Sequence, residues 1–367
     1  MQPSVAVFVT RCLPYSQTFV FEELKQPRRY QAEVFCARRE NESAFPIDTV
    51  HEAGWLYEYT RLSSKFSRTF RSKKYDLIHA HFGTGAVYAS RFARRFQVPM
   101  IVTFHGREVP LLKSMARLHP KNWAYAYFGP RMLEEMSLGL CASVELLEML
   151  VEQGVPEEKL ILHRVGVDVE RFHPLEKPKG ELHVIMIGRF VEKKGLGVGL
   201  RAFARAARGQ NARLTIVGDG PLRSRLKELV SAEGIEAQVD FSGVLTSEQV
   251  QTKLAKAHVL LAPSCTAADG DRESGLVVVK EASACETVPV TTWHGGIPSI
   301  VDDGETGFLT PERNVDAVAE RLSMLMADAP LRQRLGAAAR EKMCREFDNR
   351  RRVEILEEHY DRVVSEA

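Results

Sequence analysis

The chain has 367 residues, 44% of them hydrophobic, a length that favours two α/β domains of about 150 to 200 residues over a single core. Its 50 Lys and Arg residues against 48 Asp and Glu leave a net charge of +2, which excludes the strong basic excess of a dedicated nucleic-acid binder. The six cysteines have no close spacing and are typical of reduced, buried thiols, so a zinc or disulfide framework is not expected.

The N-terminal residues carry neither the basic region nor the cleavage site of a secretory signal. They are followed by no run of about 18 or more apolar residues, the length that a membrane-spanning helix needs. We therefore expect a soluble cytoplasmic protein, or one attached to the inner face of the cytoplasmic membrane.

Short apolar or β-branched runs alternate with segments of helical periodicity along the chain. The runs predicted as strands are Val5–Thr10, Ala32–Cys36, Leu77–Ala80, Met100–Phe104, Leu182–Ile187, Leu214–Val217, Val239–Phe241, Val259–Ala262 and Val288–Thr291. This alternation predicts parallel sheets that helices cover on both faces. Ligands bind beyond the carboxyl ends of the strands in such sheets, so the residues that follow each strand are the candidate site residues.

The irregular stretch His173–Gly180, which contains two prolines, interrupts the alternation just before a strongly apolar strand. We place the change of domain there. The prediction is an N-terminal domain over residues 1–174 and a C-terminal domain over residues 181–346.

The segment Arg61–Lys74 contains no acid and six basic residues: Arg61, Lys65, Arg68, Arg71, Lys73 and Lys74. Leu62, Phe66 and Phe70 recur among them at helical spacing. A basic helix of this kind can lie on an anionic membrane, which would give the protein a peripheral membrane contact. The apolar stripe is narrow, however, and this favours an ordinary surface helix that faces the core.

Three histidines stand near two predicted strand ends. His79 and His81 share one face of a strand, and His105 follows the strand Met100–Phe104, so all three side chains could reach one edge of the sheet. They lack a carboxylate at a spacing typical of metal ligands. We therefore expect no metal site.

The predicted strand Leu182–Ile187 runs into a loop with a glycine and three cations: Gly188, Arg189, Lys193 and Lys194. Cations and free backbone amides before a helix suit a diphosphate, although a solvated basic turn is the alternative. A second turn, Gly218–Pro221, has glycines that permit close backbone approach. It lacks the third glycine of a dinucleotide-binding fingerprint, so it is a weak redox motif.

A long polar loop, Ala262–Gly275, follows another predicted strand and precedes a helix. Glu273 in the loop and Glu281, expected in the first turn of the helix, could face one pocket. Each also has a simpler interpretation, as a solvated loop acid and as a helix acid favoured near the positive end of the dipole. Asp269 and Asp271 resemble a metal-binding DxD pair, but a flexible acidic loop is the favoured interpretation.

Together these segments resemble the retaining glycosyltransferases of family 4, in the branch that acts in bacterial exopolysaccharide and lipopolysaccharide assembly. Asp271–Ala284 resembles the E-x7-E signature of that family, and Thr292–Leu309 is similar to the block that usually follows it. The resemblance covers nearly the whole chain. The chain differs at Ser299, where the family usually has Glu, and at Ser283 and Glu286, which replace the usual Met and Gly.

The resemblance implies a GT-B fold, an α/β architecture of two Rossmann-like domains whose parallel sheets face each other across a cleft. Residues 347–367 would form a last helix that packs back on the N-terminal domain. Four residues are spaced for the apolar face that such a helix needs: Val353, Leu356, Tyr360 and Val363.

The resemblance also implies roles for single residues in donor binding. Glu281 would hold the ribose hydroxyls of the donor nucleotide. Glu273 and the amides after it, that of Gly275 included, would hold hydroxyls of the transferred sugar. Arg189 and Lys194 would neutralise the diphosphate, since a planar guanidinium and a compact ammonium both suit a leaving pyrophosphate.

Further roles follow from the same resemblance. Gly188 and Gly218 would let the backbone approach the donor. His105 matches the family's active-site histidine beside the donor sugar. Ser16 and Thr18 belong to a first turn similar to the S-x-T-F loop of this branch, and would approach donor or acceptor.

The expected enzyme is a hexosyltransferase that takes a UDP- or GDP-type nucleotide sugar and works without a metal or a further cofactor. The expected acceptor is a saccharide or lipid-linked saccharide in cell-surface polysaccharide biosynthesis, and no nucleic acid is expected as a partner. In a retaining front-face reaction the departing phosphate can take the acceptor proton, so we expect electrostatic and positional catalysis with no dedicated base. The rivals are a GT-B sugar-nucleotide epimerase and a non-catalytic polysaccharide-assembly protein.

Overall fold

The computed structural model describes residues 2–12, 17–26, 28–106, 108–113, 119, 122–273 and 275–367. The chain divides into two compact units. Residues 1–166 and 349–367 form the first unit, and residues 167–348 form the second. The sequence placed the change of domain a few residues later, at His173–Gly180.

The first unit contains a seven-stranded parallel sheet in the order β5-β3-β1-β6-β7-β8-β9. Its strands, with the two-residue pair β2 and β4, are β1 (Ser4–Phe8), β2 (Arg11–Cys12), β3 (Gln31–Cys36), β4 (Arg38–Arg39), β5 (Val50–Glu52), β6 (Leu77–His81), β7 (Met100–Phe104), β8 (Leu138–Cys141) and β9 (Leu160–Leu162). The helices are α1 (Thr18–Leu24), α2 (Leu56–Thr60), α3 (Ser64–Ser72), α4 (Phe82–Phe96), α5 (Glu108–Leu111), α6 (Trp123–Glu135) and α7 (Val144–Val151).

The central strands β1, β6 and β7 are buried along their whole length, as expected of strands that helices cover on both faces. Val5 pairs with Leu77, and Ile78 with Met100. The sheet extends from β1 through β3 to one side and through β6 to the other. The order of the strands therefore reverses between β1 and β6, which is where open α/β sheets bind ligands.

The second unit contains a six-stranded parallel sheet in the order β12-β11-β10-β13-β14-β15. Its strands are β10 (Leu182–Ile187), β11 (Ala212–Val217), β12 (Val239–Gly243), β13 (Val259–Leu261), β14 (Val288–Thr292) and β15 (Phe308–Thr310). The helices are α8 (Leu196–Ala206), α9 (Arg223–Ala232), α10 (Ser247–Lys256), α11 (Val277–Ala284), α12 (Val315–Ala327) and α13 (Ala329–Lys342). This is the doubly wound Rossmann order, with its reversal between β10 and β13.

A π-helical turn, Met343–Phe347, precedes the last helix, α14 (Asn349–Ser365). The four residues predicted as its apolar face are buried or packed into the core of the first unit: Val353, Leu356, Tyr360 and Val363. The Tyr360 hydroxyl lies 2.6 Å from Nδ1 of His79, on the central strand β6. The helix is thus anchored to the first sheet by both apolar packing and a buried hydrogen bond.

The predicted α/β fold with two parallel Rossmann-like sheets is confirmed. All nine predicted strands are present, with bounds shifted by two residues at most. The sequence missed β2, β4, β5, β8, β9 and β15, which have two to four residues each and are too short to show a pattern. Among the helices that the structure describes, none is both long and apolar enough to cross a membrane.

The basic segment Arg61–Lys74 folds differently from one continuous helix. The helix α3 begins only at Ser64, where the Ser63 side chain caps the amide of Phe66. Phe66 and Phe70 are buried in the core of the first unit, as an ordinary surface helix requires, whereas Leu62 precedes the helix and is exposed. Arg61 is itself buried, and the basic face is therefore smaller than the sequence suggested.

Candidate functional site

Two loops meet at the point where the strand order of the second sheet reverses. One follows β10 and the other follows β13. The amide of Cys265 donates to the carbonyl of Lys193 at 2.9 Å, which ties the second loop to the first. Gly195 has a φ of +60°, and a Cβ there would lie 1.8 Å from the carbonyl oxygen of Pro263. Only glycine fits this approach.

Two lysines and two carboxylates form a cluster at this junction. Nζ of Lys194 lies 3.0 Å from Oε1 of Glu273, and Nζ of Lys193 lies 3.1 Å from Oδ1 of Asp271 and 3.7 Å from Glu273. The Glu273 side chain is 12% exposed. Burial raises the pKa of Glu273, but the charges of Lys194 and Lys193 outweigh it, so the pKa is lowered from its ordinary value.

Arg189 lies beside this cluster in the chain and is exposed, unlike the two lysines. Its guanidinium makes no hydrogen bond or ion pair with the part of the chain that the structure describes. The edge of the sheet therefore carries Arg189, whose charge is available to an anion, and Lys194, which could exchange Glu273 for a bound anion. An anionic ligand would gain both partners without leaving a buried carboxylate unpaired, provided that Glu273 found hydroxyl donors on the same ligand.

The predicted glycines line the first loop. A Cβ on Gly188 would lie 3.1 Å from Cε of Lys194, so the lysine stem runs directly over the bare backbone of this glycine. A Cβ on Gly218, whose φ is +128°, would lie 2.0 Å from the carbonyl oxygen of Gly188. A Cβ on Gly275 would meet no described heavy atom within 4 Å. Side chains at Gly188 and Gly218 would crowd neighbouring atoms, whereas a side chain at Gly275 would meet none.

Glu312 and His294, which the sequence did not single out, fix the loop that carries Glu273. The amide of Glu273 donates to Nε2 of the fully buried His294 at 3.0 Å. Nδ1 of His294 must then carry the hydrogen, which it donates to Oε1 of Glu312 at 2.6 Å. Glu312 also accepts from the amide of Thr266 at 2.8 Å. One carboxylate thus holds the loop at two points.

A second set of contacts, made by Arg313 and Glu192, holds the same loop after β13. Arg313 donates to Oε1 of Glu192 at 3.0 Å and to the carbonyl of Thr266 at 2.6 Å. Glu192 accepts from the amide of Ala268 at 3.0 Å. The pKa of Glu192 is lowered by that amide and then by Arg313. The loop after β13 is therefore fastened to the loop after β10 and to the end of β15.

Glu281 does not lie in the first turn of α11, so that prediction was wrong. The helix begins at Val277 after Leu276, and its first turn contains no acid. Glu281 is instead the fifth residue of an eight-residue helix and is partly buried. Glu281 would lie in the first turn only if the helix began later, whereas it already begins at Val277. Glu281 therefore lies beyond the first turn, where the helix dipole would favour an acid.

Asp269 and Asp271 show contacts within the loop. Oδ1 of Asp269 accepts from the amide of Asp271 at 3.0 Å, and Asp271 is paired with Lys193. Among the described residues, no group of three metal-ligating atoms within 4.8 Å of one another includes either aspartate. A loop acid engaged with a lysine is the interpretation that these contacts support.

In the first unit His105 follows β7 among aromatic rings. Its amide donates to Oε1 of the buried Glu108 at 2.6 Å, and its Nε2 lies 3.1 Å from Nδ1 of His81. The rings of Phe19 and Phe82 lie 4.7 and 4.5 Å from its ring centroid. Burial raises the pKa of Glu108, although three backbone amides oppose this. The imidazole is thus held in place from several sides.

Thr18 is the first residue of α1 and directly precedes Phe19, whose ring contacts His105. Ser16 lies outside the described residues.

The sequence spacing gave no sign of a carboxylate beside the histidines, but α1 brings Glu23 to them. Ligand atoms of Glu23, His79 and His81 lie within 4.8 Å of one another. Both ring nitrogens of His79 already have partners, the hydroxyls of Thr103 and Tyr360 at 2.7 and 2.6 Å. The residues do not suit a metal, since the guanidinium of Arg28 lies 3.2 Å from Glu23. Burial lowers the pKa of both histidines.

The structure thus gathers Gly188, Lys194, Gly218 and Glu273 at one edge of the second sheet, with Arg189 adjoining. It places His105 and Thr18 at the carboxyl edge of the first sheet. The roles that the sequence resemblance implies for these residues remain predictions.

Two family models match the chain. The model described as Glycosyltransferase Family 4 matches residues 20–171, and the model described as Glycosyl transferases group 1 matches residues 169–342. The glycosyltransferase WcaL of Escherichia coli K12, whose name assigns it to colanic acid biosynthesis, is 33% identical over 283 residues, which are 74% of this chain and 67% of WcaL. The chain belongs to the family 4 glycosyltransferases.

A second relative and a solved structure support this assignment. The amylovoran biosynthesis glycosyltransferase AmsK of Erwinia amylovora is 31% identical over 298 residues, which are 77% of this chain and 70% of AmsK. The crystal structure of Anabaena HepE in complex with UDP matches 98% of this chain and 99% of HepE with a TM-score of 0.79 at 17% sequence identity. At this identity the likeness shows the fold alone, and that fold is GT-B.

Proposed function

We propose that this glycosyltransferase moves a sugar from a UDP- or GDP-type nucleotide sugar to a saccharide or lipid-linked saccharide, with retention of the anomeric configuration. The observation that carries the proposal is the pair of Lys194 and Glu273 at the strand-order reversal of the second sheet, 3.0 Å apart and mostly buried. Such an edge is where doubly wound sheets bind nucleotides. The names of WcaL and AmsK, which refer to colanic acid and amylovoran, support a role in cell-surface polysaccharide biosynthesis.

In the proposed donor complex Lys194 and Arg189 neutralise the diphosphate. The absence of side chains at Gly188 and Gly218 lets the Lys194 stem and the Gly188 carbonyl pack closely there, which positions Lys194 at the sheet edge where the donor would bind. Glu273, released from Lys194, accepts hydrogen bonds from hydroxyls of the transferred sugar. Glu281 binds the ribose hydroxyls of the nucleotide.

Charge grows on the diphosphate as the bond to the sugar breaks. A lysine and an arginine already in place lower the cost of that charge without reorganisation, which is the main source of electrostatic catalysis. We propose that the departing phosphate accepts the proton of the acceptor hydroxyl, so the new bond forms on the face that the phosphate leaves. The role of His105 beside the donor sugar remains a prediction from the family resemblance.

We also propose that the transfer needs no metal ion. The support is chemical, because Lys194 and Arg189 provide the positive charge that a divalent cation would otherwise supply. Asp271, the acid best placed to bind such an ion, is occupied by Lys193 at 3.1 Å. Activity that survives chelation by EDTA is the expected result, and activity lost with EDTA and restored by Mg²⁺ or Mn²⁺ would contradict it.

The reaction is tested by incubating the protein with a panel of UDP- and GDP-sugars, with and without saccharide acceptors, and following products by mass and by anomeric NMR signals. The expected result is an acceptor-dependent product with the anomeric configuration of the donor. An inverted product would contradict retention. A donor isomer formed without any acceptor would indicate an epimerase, and a donor left intact under all conditions would indicate a non-catalytic protein.

A further inference from the structure

Six exposed apolar side chains of the first unit lie on or next to the helices α2 and α6. They are 43 to 76% exposed: Trp55, Leu56, Tyr59, Leu62, Trp123 and Tyr127. Among the residues that the structure describes they make up half of the twelve exposed large apolar side chains. We call these six residues the aromatic patch. Apolar side chains gathered in this way indicate a binding surface, whereas single exposed ones do not.

Measured contacts join the two halves of the patch. The rings of Trp55 and Tyr59 lie 6.3 Å apart, edge to face. The guanidinium carbon of Arg61, in the turn after α2, lies 3.8 Å from the ring centroid of Phe128 on α6. The ring of Phe128 lies 4.8 and 6.1 Å from those of the two patch residues on α6. The turn after α2 therefore rests on α6, and the patch is one surface.

Hydrogen bonds and packing to α4 hold the segment that carries the first half of the patch. Arg61, with a relative exposure of 7%, donates to the carbonyl of Val87 at 3.1 Å from Nε. The hydroxyl of Tyr88 donates to the carbonyl of Glu58 at 2.6 Å. The buried Tyr57 packs between the exposed residues and the core. These contacts fix the segment of α2 to α4. The rings are therefore exposed on a well-packed part of the chain.

Exposed cations are frequent on the helices that carry or adjoin the patch. Those on α3, α4 and α6 are Lys65, Arg68, Arg71, Arg91, Arg94, Arg95 and Arg131. Burial, and then the charges of Arg91 and Arg94, lower the pKa of Arg61, which places those two arginines close to the base of the patch. Arg94 and Arg131 both pair with Glu135, at 3.5 and 2.6 Å.

Acids are fewer here than cations. Glu58 is paired with Arg11 and Arg38, and Glu135 is paired as described. Glu134 and Glu135 are both exposed. The surface therefore combines tryptophan and tyrosine rings, leucines and a net excess of arginine and lysine.

We propose that the aromatic patch docks the protein on an anionic lipid bilayer. Tryptophan and tyrosine rings favour the level of the lipid headgroups, leucines enter the acyl boundary below it, and arginines bind lipid phosphates. Each cation near an anionic surface adds to the attraction. The docking surface differs from the basic helix that the sequence indicated, because the apolar residues Phe66 and Phe70 of that helix face the core. It does not depend on the proposed transfer reaction.

The three tryptophans of the chain allow a direct test. Trp55 and Trp123 belong to the patch, and Trp293, which is 55% exposed, lies in the second unit and serves as the matched control. Three variants that each retain one tryptophan, with Phe in the other two positions, are mixed with vesicles of brominated phosphatidylcholine and roughly 30% phosphatidylglycerol. We expect lipid bromine to quench Trp55 and Trp123 more strongly than Trp293.

Flotation with vesicles tests the same surface without probes. The combined variant Trp55→Ser, Tyr59→Ser, Leu62→Ser is expected to lower the bound fraction at least about tenfold, and salt is expected to weaken the binding of the unchanged protein. Circular dichroism and UDP binding check that the variant is folded. Equal binding of variant and unchanged protein, or no preference for anionic over neutral vesicles, would overturn the proposal. Self-association that the variant abolishes, without vesicle binding, would assign the patch to a second copy instead.

Discussion

Glu312 shows how one partly exposed carboxylate can position a candidate binding residue through an intervening histidine. It accepts hydrogen bonds from the amide of Thr266 and from Nδ1 of His294, whose other nitrogen accepts from the amide of Glu273. Burial raises the pKa of Glu312, but these donors outweigh it and lower the pKa. The tautomer of His294 and the backbone of Glu273 are thus both set by the charge on Glu312.

We predict that Glu312→Gln lowers the free energy of unfolding by about 1–3 kcal/mol, because the new amide group cannot accept from both donors. An amide N–H facing Nδ1 of His294 would also favour the other tautomer and leave the Glu273 amide without an acceptor. Urea denaturation measures the stability, and Glu320→Gln on the exposed side of α12 is the control. Equal stability of Glu312→Gln and the control would contradict the role of Glu312.

Glu286 occupies a turn position where the family usually has glycine, and its φ is +55°. The left-handed conformation costs a residue with a side chain about 1 kcal/mol relative to glycine. Glu286→Gly is therefore predicted to raise the free energy of unfolding by up to about 1 kcal/mol, since the greater freedom of glycine in the unfolded chain offsets part of the gain. Glu233→Gly, at a right-handed position with φ −86°, should instead destabilise the protein in the same thermal denaturation. A loss of stability in Glu286→Gly would contradict the strain.

At the scale of elements, the edge of the first sheet depends on a polar cluster around Glu33 of β3. The carboxylate lies 2.5 Å from Lys73, 2.6 Å from the hydroxyl of Tyr75 and 2.7 Å from His51 on β5. Burial raises the pKa of Glu33, but these hydrogen bonds outweigh it and lower the pKa to about 2. The cluster joins β3 and β5 to the residues between α3 and β6.

A lowered folded pKa means that the ionised carboxylate stabilises the fold above its unfolded pKa of 4.5, and that this contribution is lost as the pH falls towards about 2. We predict that Glu33→Gln costs at most about 3 kcal/mol at pH 7. The difference between the variant and the unchanged protein should shrink when both are denatured in urea at about pH 3. An equal difference at both pH values would show that Glu33 does not act through its charge.

The sequence predicted elements better than it predicted their ends. Strands of five or six residues such as Met100–Phe104 and Leu182–Ile187 were found with correct bounds, because a mostly apolar run between polar segments is a strong pattern. The start of α11 was misjudged, since the residues before Val277 carry no capping signal and the loop stays irregular. The aromatic patch escaped notice because its two halves are far apart in the chain.

At the scale of the whole molecule, the same strand order occurs in both sheets, with a reversal that places loops from neighbouring strands side by side. That topology explains why Lys194 and Glu273, about eighty residues apart in sequence and assigned to one donor site by the family resemblance, lie side by side in the structure. The support provided by Glu312 and His294 could not be predicted, since a buried hydrogen-bond network leaves no periodic pattern in the sequence.

The central claim is that the edge of the second sheet at Lys194 binds the diphosphate of a nucleotide sugar, and calorimetric titration with UDP and GDP tests it most directly. Lys194→Ala and Glu281→Ala should each weaken binding of the preferred nucleotide about 10- to 100-fold, the effect of losing a hydrogen bond with a charged partner. Lys227→Ala, on the exposed face of α9, should leave it unchanged. Affinities of Lys194→Ala and Glu281→Ala equal to that of the unchanged protein would contradict the account.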